Sequence, residues 1–524
     1  MDKARQGRRL EAGAVAALLL ALAGCGGDDL KNCAALRRGA PDKAIEHCNA
    51  ALENRLVFGE RRAGVLVDRG ALYADRRDWD RSIADLTAAI DSGKLPERNR
   101  VIAYYDRGTV HGQKGALDAS IADLNEALKL NPAYVDALVN RALSRRGKGD
   151  IAGSFADADA ALKLDPNNAK ALLQRGVTHF VEKSLDKAIA DLTASVKLAP
   201  DLAPARHLKG IMLQQNGDHD AALVELSEAI RLDPSIRDAL ERRAGIYEKR
   251  KDYDRGIADL VAAGKLAPKN AAIFYERSLM RVRKGDLEGG FADIEGALAL
   301  NPKIAEGYNT RGWIRLQKKE LDAAIADFDQ ALALKPELLL ARGNRASALI
   351  LKNDHARAVV DLEAIAAALP AQANYRTIGL FRYYLGQFPE SAAALARSLQ
   401  AKPDDHYAAI WRYLAQMRAG EAKAAGPALA EGAKALTPGK WPAAVVNLYL
   451  GKATEPAMFA AAKHADPKIQ ADQVCEASFY AGALKLVRNQ RAQALPQLRA
   501  AEKDCPRDFV EYQGALAELG RFQK

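Results

Sequence analysis

The sequence predicts an all-α protein built as a solenoid of stacked helix hairpins, and two observations support this prediction. The first is a proline that returns every 34 residues. The second is a pair of amphipathic helices in each copy, with apolar residues at the spacing of a buried helical stripe, as in Ile121, Leu124 and Leu128. One such unit cannot bury its apolar face alone, so neighbouring units must stack. The prolines are Pro132, Pro166, Pro200, Pro234, Pro268, Pro302, Pro336 and Pro370.

Each copy also keeps one small residue on each of its two helices, which predicts that the two helices approach closely at these points. On the first helix these residues are Gly108, Ala142, Gly176, Gly210, Ala244, Ser278, Gly312 and Ala346. On the second helix they are Ser120, Ser154, Ala188, Ala222, Gly256, Gly290, Ala324 and Ala358. The second helix is expected to begin at an N-cap aspartate and to end before the proline. The candidate caps are Asp150, Asp218, Asp252, Asp286 and Asp354.

A small residue at position eight, another at position twenty and proline at position thirty-two of each copy resemble the tetratricopeptide repeat (TPR) family. The regular copies cover residues 101–370, a less regular copy occupies about 63–96, and further copies continue to about 438. The resemblance implies a right-handed superhelical solenoid of TPR hairpins, with the first helix of each hairpin on the inner wall. It also implies a protein that binds other proteins and is not an enzyme.

An arginine on the first helix precedes an acidic residue on the second helix by sixteen positions in nearly every copy. Two hypotheses explain the series: a ladder of arginines that grips an anionic ligand, or a salt bridge between the two helices of each repeat. Both members change together, to Lys209 and Glu225 in one copy and to Ile378 and Ala394 in another. This paired change favours structural salt bridges. Such salt bridges are often mistaken for functional sites when charged residues are used to predict a site. The pairs include Arg107 with Asp123, Arg175 with Asp191, Arg243 with Asp259 and Arg311 with Asp327.

The chain opens with the anatomy of an export signal. Basic residues from Lys3 to Arg9 precede an apolar run over 12–22, which is too short to span a membrane as a stable helix. The sequence Leu-Ala-Gly-Cys that ends at Cys25 resembles the lipobox of bacterial lipoproteins. This resemblance implies cleavage before Cys25, lipid on that residue, and a protein anchored in the outer membrane and facing the periplasm. The alternative is an ordinary secreted protein with a chance cysteine.

Four further cysteines form two local pairs. Cys33 and Cys48 flank a turn between two short helical segments, and Cys475 and Cys505 stand at the outer ends of a predicted helix hairpin. Antiparallel helices bring such ends together, and an exported chain meets an oxidising compartment. We therefore expect two disulfides that staple the ends of the array; the alternative is free buried thiols, since the spacing does not suit zinc.

Composition and motif searches indicate no catalytic chemistry. The formal net charge is +10, but much of the arginine belongs to the pairs described above, so we predict no nucleic-acid partner. Phosphate-binding loops, zinc-protease motifs and serine-nucleophile motifs are absent from the sequence. The eight histidines are scattered, and His111 and His179 occupy a slot that holds apolar or aromatic residues in other copies. We predict no cofactor and no metal.

The inner wall is the candidate partner-binding surface. Apolar and aromatic residues at its predicted exposed positions would suit a partner helix or an extended peptide. The alternative is that these side chains pack between neighbouring repeats. The candidates are Tyr105, Leu143, Val177, His207, Ile211, Tyr275, Leu279, Asn309 and Trp313.

The C-terminal segment carries aromatic blocks around Trp411, Trp441, Tyr449, Phe479 and Phe509. Their order resembles the C-terminal part of the NlpI-type TPR lipoproteins. That resemblance implies an envelope adaptor that holds cell-wall hydrolases and a periplasmic protease near each other. The alternatives are an assembly or pilot factor for an outer-membrane, secretion or pilus complex, and an aromatic cap that only seals the array. The oligomeric state stays open.

The predicted organisation has five segments. They are a signal peptide (1–24), disulfide-stapled capping helices (25–62), an irregular first TPR with an insertion (63–100), the tandem TPR array (101–404) and a degenerate helical C-terminal region (405–524).

Overall fold

A computed structural model describes residues 27–35, 40–372, 374–434, 436–437 and 439–523, and the regular structure among these residues is entirely helical. The predicted all-α class, built from consecutive helix hairpins, is confirmed. The predicted signal peptide and the predicted lipid site, Cys25, lie outside the described residues. The helices form two compact units, of which the first ends at Leu266 and the second begins at Ala267. No helix of the described ranges is both long enough and apolar enough to cross a membrane.

Fourteen of the described helices belong to the first unit. They are α1 (Gly27–Ala35), α2 (Pro41–Glu53), α3 (Gly59–Asp75), α4 (Trp79–Asp91), α5 (Glu97–Lys114), α6 (Leu117–Leu130), α7 (Val135–Gly147), α8 (Ile151–Leu164), α9 (Ala169–Val181), α10 (Leu185–Leu198), α11 (Ala203–Gln215), α12 (His219–Leu232), α13 (Arg237–Lys249) and α14 (Tyr253–Leu266).

The second unit continues with hairpins of the same kind and then becomes less regular. Its helices are α15 (Ala271–Lys284), α16 (Leu287–Leu300), α17 (Ala305–Gln317), α18 (Leu321–Leu334), α19 (Leu339–Leu351), α20 (His355–Ala368), α21 (Tyr375–Tyr384), α22 (Phe388–Ala401), α23 (His406–Arg418), α24 (Ala422–Gly432), α25 (Ala443–Tyr449), α26 (Glu455–Ala461), α27 (Pro467–Val487), α28 (Arg491–Asp504) and α29 (Val510–Phe522).

The small residues allow the close approach that the sequence predicts. A Cβ atom added to Gly210 would stand 2.7 Å from Cγ of Leu226, and one added to Gly312 would stand 2.7 Å from Cε1 of Phe328. Both contacts are closer than real side chains adopt, so a larger residue would force the two helices of the hairpin apart. Leu226 and Phe328 are fully buried at these points. Each hairpin therefore packs a large apolar side chain of its second helix against the backbone of its first.

The helix ends follow local rules. The five predicted N-cap aspartates each accept a hydrogen bond from the backbone N–H three residues later. The second helices end two residues before the recurring prolines. The predicted boundaries at 62/63 and 100/101 fall inside α3 and α5. These two first helices begin at Gly59 and Glu97, four residues before the starts that were counted from the 34-residue proline period. The insertion around Ser92–Asn99 spans the loop between α4 and α5 and the start of α5, and it mainly lengthens α5, which has 18 residues.

Two disulfides join the predicted cysteine pairs. Cys33 of α1 is bonded to Cys48 of α2 with a Cα–Cα distance of 4.8 Å. Cys475 of α27 is bonded to Cys505, which follows α28, with a Cα–Cα distance of 5.0 Å. Each disulfide thus closes one helix hairpin of its own unit. In the chain-entropy description, closing a loop as long as the first stabilises the fold by about 3 kcal/mol.

Candidate partner-binding surfaces

The predicted arginine–aspartate pairs join the two helices of the regular hairpins. Arg243 donates from Nε to Asp259 Oδ2 at 2.8 Å and from Nη2 to Oδ1 at 2.7 Å. This bidentate geometry is the strong form of side-chain ion pairing. The side chains of Arg243 and Asp259 are only 18% and 8% exposed. Paired contacts of the same kind join Arg107 to Asp123, Arg175 to Asp191 and Arg311 to Asp327.

Several of these arginines also reach back to the hairpin that precedes their own. Nη1 of Arg243 donates to Oγ of Ser227 on α12 at 2.9 Å. One guanidinium therefore ties three helices together: its own, the partner in its hairpin, and the second helix of the preceding hairpin. We call this arrangement the arginine node. Its backward acceptors elsewhere are Asn49 for Arg69, Thr87 for Arg107, Asn125 for Arg141, Asp159 for Arg175 and Asp329 for Arg345.

The contacts of these arginines fit the hypothesis of structural salt bridges, and they do not fit a row of arginines that is free to bind an anionic ligand. The Nε and Nη2 atoms that would grip an anion bidentately are already bound to the aspartate within the hairpin. In the exceptional copy, Glu225 accepts from Lys209 at 2.9 Å and also from Arg206 at 2.9 Å, so the acid stays fully paired. Ile378 and Ala394 of the degenerate copy are both buried and apolar.

The nine inner-wall candidates divide by burial. Tyr105, Ile211 and Asn309 are 5%, 9% and 7% exposed, so the prediction of an exposed position does not fit them. The reason is contact with the following hairpin: Asn140 donates to Oη of Tyr105 at 3.3 Å, and Asn344 donates to Oδ1 of Asn309 at 2.9 Å. For Tyr105 and Asn309, the alternative of packing between repeats describes the structure.

The other six candidates keep part of their surface open. Leu143 is 46% exposed in the first unit, where Val177 and His207 are half-buried. His207 is also paired to Asp238 of the next hairpin, with 2.8 Å between Nε2 and Oδ2. In the second unit Tyr275, Leu279 and Trp313 are half-buried.

A second candidate surface lies near the C-terminal end of the second unit, where three first helices present aromatic rings. The rings of Tyr383 and Trp411 meet edge to face at 5.0 Å, and those of Trp411 and Phe479 stack at 4.9 Å. These rings are fully buried. We call this surface the C-terminal groove and define it by Tyr383 and Tyr384 of α21, Trp411 and Arg418 of α23, and Phe479 and Tyr480 of α27.

The helix α29 lies in the C-terminal groove and binds it through two buried carboxylates. Glu518 accepts from Oη of Tyr383 at 2.8 Å and from Nη1 of Arg418 at 2.9 and 2.8 Å. Glu511 lies two helical turns before Glu518 and accepts a hydrogen bond from Oη of Tyr480 at 2.6 Å. The side chain of Glu518 is only 1% exposed. Both acids thus point into the groove and away from solvent.

Between these two acids, α29 makes its closest approach through a glycine. A Cβ atom on Gly514 would stand 2.6 Å from Cη2 of Trp411 and 2.7 Å from Cε2 of Phe479. The aromatic floor of the groove therefore requires a residue without a side chain at this point of the helix.

Glu511 lies in an environment that disfavours its charged form. Burial, reinforced by the nearby charge of Glu476, raises the pKa of Glu511 to about 7. Burial also raises the pKa of Glu476, which accepts from Tyr407 Oη at 2.9 Å and from Trp441 Nε1 at 2.8 Å. The charge of Arg376 acts in the opposite direction and lowers the pKa of Glu511 slightly, and Nε of Arg376 lies 3.6 Å from Oδ2 of Asp405.

The two singled-out histidines sit beside the arginine nodes. Nε2 of His111 lies 3.8 Å from Asp123, and Nε2 of His179 lies 3.8 Å from Asp191. Burial lowers the pKa of both. Across the part of the chain that the structure describes, His, Cys, Asp and Glu side chains form no group of three that could hold a metal ion.

Most of the helix hairpins match a known protein family. The tetratricopeptide repeat family matches residues 67–135, 139–203, 208–271 and 377–440, and a second form of the same repeat matches 305–338. Together these matches span more than half of the chain. The chain belongs to the tetratricopeptide repeat family. TPR proteins are in general scaffolds that bind proteins or peptides and perform no catalysis, and the matched families include no enzyme.

Several solved structures resemble parts of the chain. A TPR protein from Parabacteroides merdae is 18% identical, covers 48% of this chain and 99% of its own, and has a TM-score of 0.32. YrrB, described as a TPR protein with an unusual peptide-binding site, is 18% identical, covers 38% and 97%, and has a TM-score of 0.32. PilF from Pseudomonas aeruginosa is 16% identical, covers 38% and 92%, and has a TM-score of 0.34. Likeness at this level carries no argument about function.

Two sets of residues could be identified only from the structure. The first is the backward acceptors of the arginine nodes, although a polar residue sixteen positions before the arginine in several copies, such as Asn125 and Ser227, was a visible signal. The second is the set on α29, where Glu511, Gly514 and Glu518 share one helix face. Their spacing of three and seven residues shows a common face but gives no sign of what that face contacts.

We predict that the arginine node stabilises the fold and takes no part in ligand binding. Arg243→Ala leaves Asp259 buried without its partner and should lower the free energy of unfolding by about 3 kcal/mol. The apolar pair Arg243→Ile with Asp259→Ala copies Ile378 and Ala394 and should recover much of that loss. Thermal and urea unfolding of Arg243→Ala, of Asp259→Ala and of the apolar pair measure the effect.

Arg231→Ala is the matched control, because Arg231 is an exposed arginine of the same unit, paired only with Glu228 on its own helix. We expect it to leave unfolding nearly unchanged. Unchanged melting of Arg243→Ala, or strictly additive losses at Arg243 and Asp259, would contradict the salt-bridge assignment.

We predict a pH-dependent contribution from Glu511. Its folded-state pKa of about 7 lies above the ordinary value of 4.5, so its proton stabilises the fold below pH 4.5, and this contribution is lost as the pH rises toward 7. Glu511→Gln removes the buried charge and keeps an acceptor for Tyr480. The variant should therefore gain stability over the wild type as the pH rises from about 5 to 8, by up to about 3 kcal/mol.

Melting temperatures across this pH range, compared at each pH, provide the measurement. Glu502→Gln, at an exposed position on α28, is the control and should show a constant difference. A constant difference for Glu511→Gln as well would show that the carboxyl does not titrate in this range.

Proposed function

We propose that the protein is a non-catalytic, lipid-anchored adaptor of the cell envelope that binds partner proteins through its TPR hairpins. Lipid on Cys25 would hold the hairpins at the outer membrane, on the periplasmic side. The observation that carries the proposal is the sequence Leu22-Ala23-Gly24-Cys25 at the end of a basic and then apolar leader. It stands shortly before the first described helix of a protein-binding scaffold.

The cysteine chemistry supports an exported protein. The four cysteines beyond Cys25 are all used in two disulfides, and each disulfide closes a local hairpin. Stable disulfides of this kind are typical of oxidising compartments and rare in reducing ones. The disulfides and the N-terminal leader are independent features of the sequence, and both indicate export.

The partner class rests on the C-terminal aromatic blocks. Their order is similar to that of NlpI-type lipoproteins, which act as adaptors for cell-wall hydrolases and a periplasmic protease. We therefore propose enzymes of the cell wall or a periplasmic protease as the partners. An assembly or pilot role for an outer-membrane, secretion or pilus complex is the competing assignment.

We predict that Cys25 carries lipid. Cys25→Ala should move the protein from the membrane fraction to the soluble periplasmic fraction, because the lipid on Cys25 is the proposed anchor. Fractionation and labelling with a fatty-acid analogue provide the measurement. Cys505→Ala is the control, since it removes a cysteine without touching the leader. Membrane association of the Cys25→Ala variant, with no label on the wild type, would contradict the lipid anchor.

Capture of crosslinked partners from intact envelopes tests the adaptor role. We expect cell-wall hydrolases or a protease with the wild-type protein and much less of either with Cys25→Ala, because the anchor concentrates the scaffold where these enzymes act. Recovery of pore or pilus subunits instead would favour the pilot assignment.

A further inference from the structure

One arginine on the predicted inner wall of the first unit has a free hydrogen-bonding edge. Arg146 of α7 donates from Nη1 to Oε1 of Gln174 on α9 at 2.7 Å and to the backbone carbonyl of Gln174 at 3.3 Å. Its Nε and Nη2 atoms bind no acceptor in the described part of the chain, and neither atom is sealed from solvent. The arginine nodes use these same two atoms to hold an aspartate. Arg146 therefore keeps the bidentate edge of its guanidinium available.

Arg146 is half-buried without a carboxylate to compensate its charge. Burial lowers the pKa of its guanidinium, and no carboxylate of the described residues offsets the shift. A desolvated charge without a counter-charge is unfavourable, and proteins usually pair it. The fold does not require a cation here, because the same position of four other copies holds an apolar residue: Phe180, Val282, Leu316 or Ile350. A cation that the packing does not need indicates a role outside the fold.

The surroundings of Arg146 combine apolar surface with positive charge. Leu143 lies one turn before Arg146 on α7 and is 46% exposed. On α9, Lys170, Gln174 and Val177 follow one another at the i, i+4 and i+7 spacing of one helix face; the first is exposed and the last is half-buried. We call Leu143, Arg146, Lys170 and Val177 the Arg146 patch. A ligand that is both acidic and apolar complements such a surface.

The second unit provides an example of a similarly placed arginine with its acid bound. Arg418 stands in the last turn of the first helix α23, as Arg146 does in α7. Nη1 of Arg418 donates to both carboxylate oxygens of Glu518, at 2.9 and 2.8 Å. Glu518 belongs to α29, which is part of the hydrophobic core through Ala515, so this acid is a permanent occupant. A first-helix arginine of this chain thus pairs with a carboxylate that another helix presents.

We infer that the Arg146 patch binds a helix of a partner protein. In this complex a glutamate or aspartate of the partner accepts from Nε and Nη2 of Arg146, and an apolar side chain one helical turn away packs on Leu143 and Val177. The inference deepens the proposed protein-binding function and rests on it, because it names the surface and the chemistry of the partner. It is independent of the lipid at Cys25 and of the cellular address of the protein.

The test is a selection from a library of helix-forming peptides with randomised exposed positions, and the full-length wild-type chain is the target. We expect the selected peptides to carry an acidic residue with a large apolar residue one turn away. Fluorescence anisotropy then measures their affinity for the wild type and for Arg146→Leu, which copies Leu316. The variant should bind at least about tenfold more weakly, because the acid loses its bidentate partner. Changing the acid of the peptide to its amide should cost about the same factor, and both changes together should cost no more than either alone.

Two variants of the same region are the matched controls. Lys148→Leu removes one positive charge two residues further along, where Lys148 is paired with Asp118, and should leave the peptide affinity nearly unchanged. Arg141→Leu takes the bidentate partner from Asp157 and should lower the melting temperature of the free chain, whereas Arg146→Leu should not lower it. Equal losses of melting temperature would make Arg146 a structural residue and would overturn the inference.

Three further results would also overturn it. The library could yield no peptide that binds the wild-type chain, or only peptides that bind Arg146→Leu equally well. Inorganic phosphate alone could bind the wild-type chain as tightly as the peptides do, which would assign the patch to a small anion. Sedimentation could show a dimer that Arg146→Leu abolishes, which would assign the patch to a second copy. Partner capture from envelopes that does not depend on Arg146 would leave the adaptor role standing and reject this site, so the two failures are distinguishable.

Discussion

The close approach of two helices within each hairpin is the constraint on which the rest of the structure depends. Where Gly210 faces Leu226, the backbone of one helix is in contact with the side chain of the other, so the spacing of the pair is set by a missing side chain. That spacing decides which residues can meet across the hairpin. It brings the arginine of the first helix within bidentate reach of the aspartate on the second, and it leaves the outer faces of both helices to be covered by the neighbouring hairpins.

The arginine node adds directional hydrogen bonds to the apolar packing, and these fix the alignment of neighbouring hairpins. Apolar stripes alone would tolerate small slips between stacked hairpins, because dispersion contacts are not directional. A planar guanidinium with two donors on Asp259 and a third on Ser227 accepts one alignment only. The same chemistry recurs at α29, where Arg418 and Tyr383 converge on Glu518. In both places buried polar contacts specify geometry, and apolar burial elsewhere supplies most of the stability.

Much of the fold could be predicted from the sequence because it rests on short-range rules. The N-cap at Asp150, the helix end before Pro166 and the small slot at Gly176 are each read from a few neighbouring residues. The sequence left the burial of Tyr105 and Asn309 open as an alternative to exposure, since it depends on side chains one full repeat away. The contact of α29 with α21 could not be predicted, because Tyr383 and Glu518 are 135 residues apart in the chain and no periodicity connects them.

The backward bond of the arginine node has a consequence for how hairpins within the array differ in length. At four of the six nodes named above the acceptor lies sixteen residues before the arginine, whereas Arg69 reaches Asn49 and Arg107 reaches Thr87 across twenty. The additional residues lie mainly in α3 and α5, which begin ten residues before their arginines, and they leave the node intact. The first helix of a hairpin can therefore extend one turn beyond those of its neighbours without losing the contact that aligns it with the preceding hairpin.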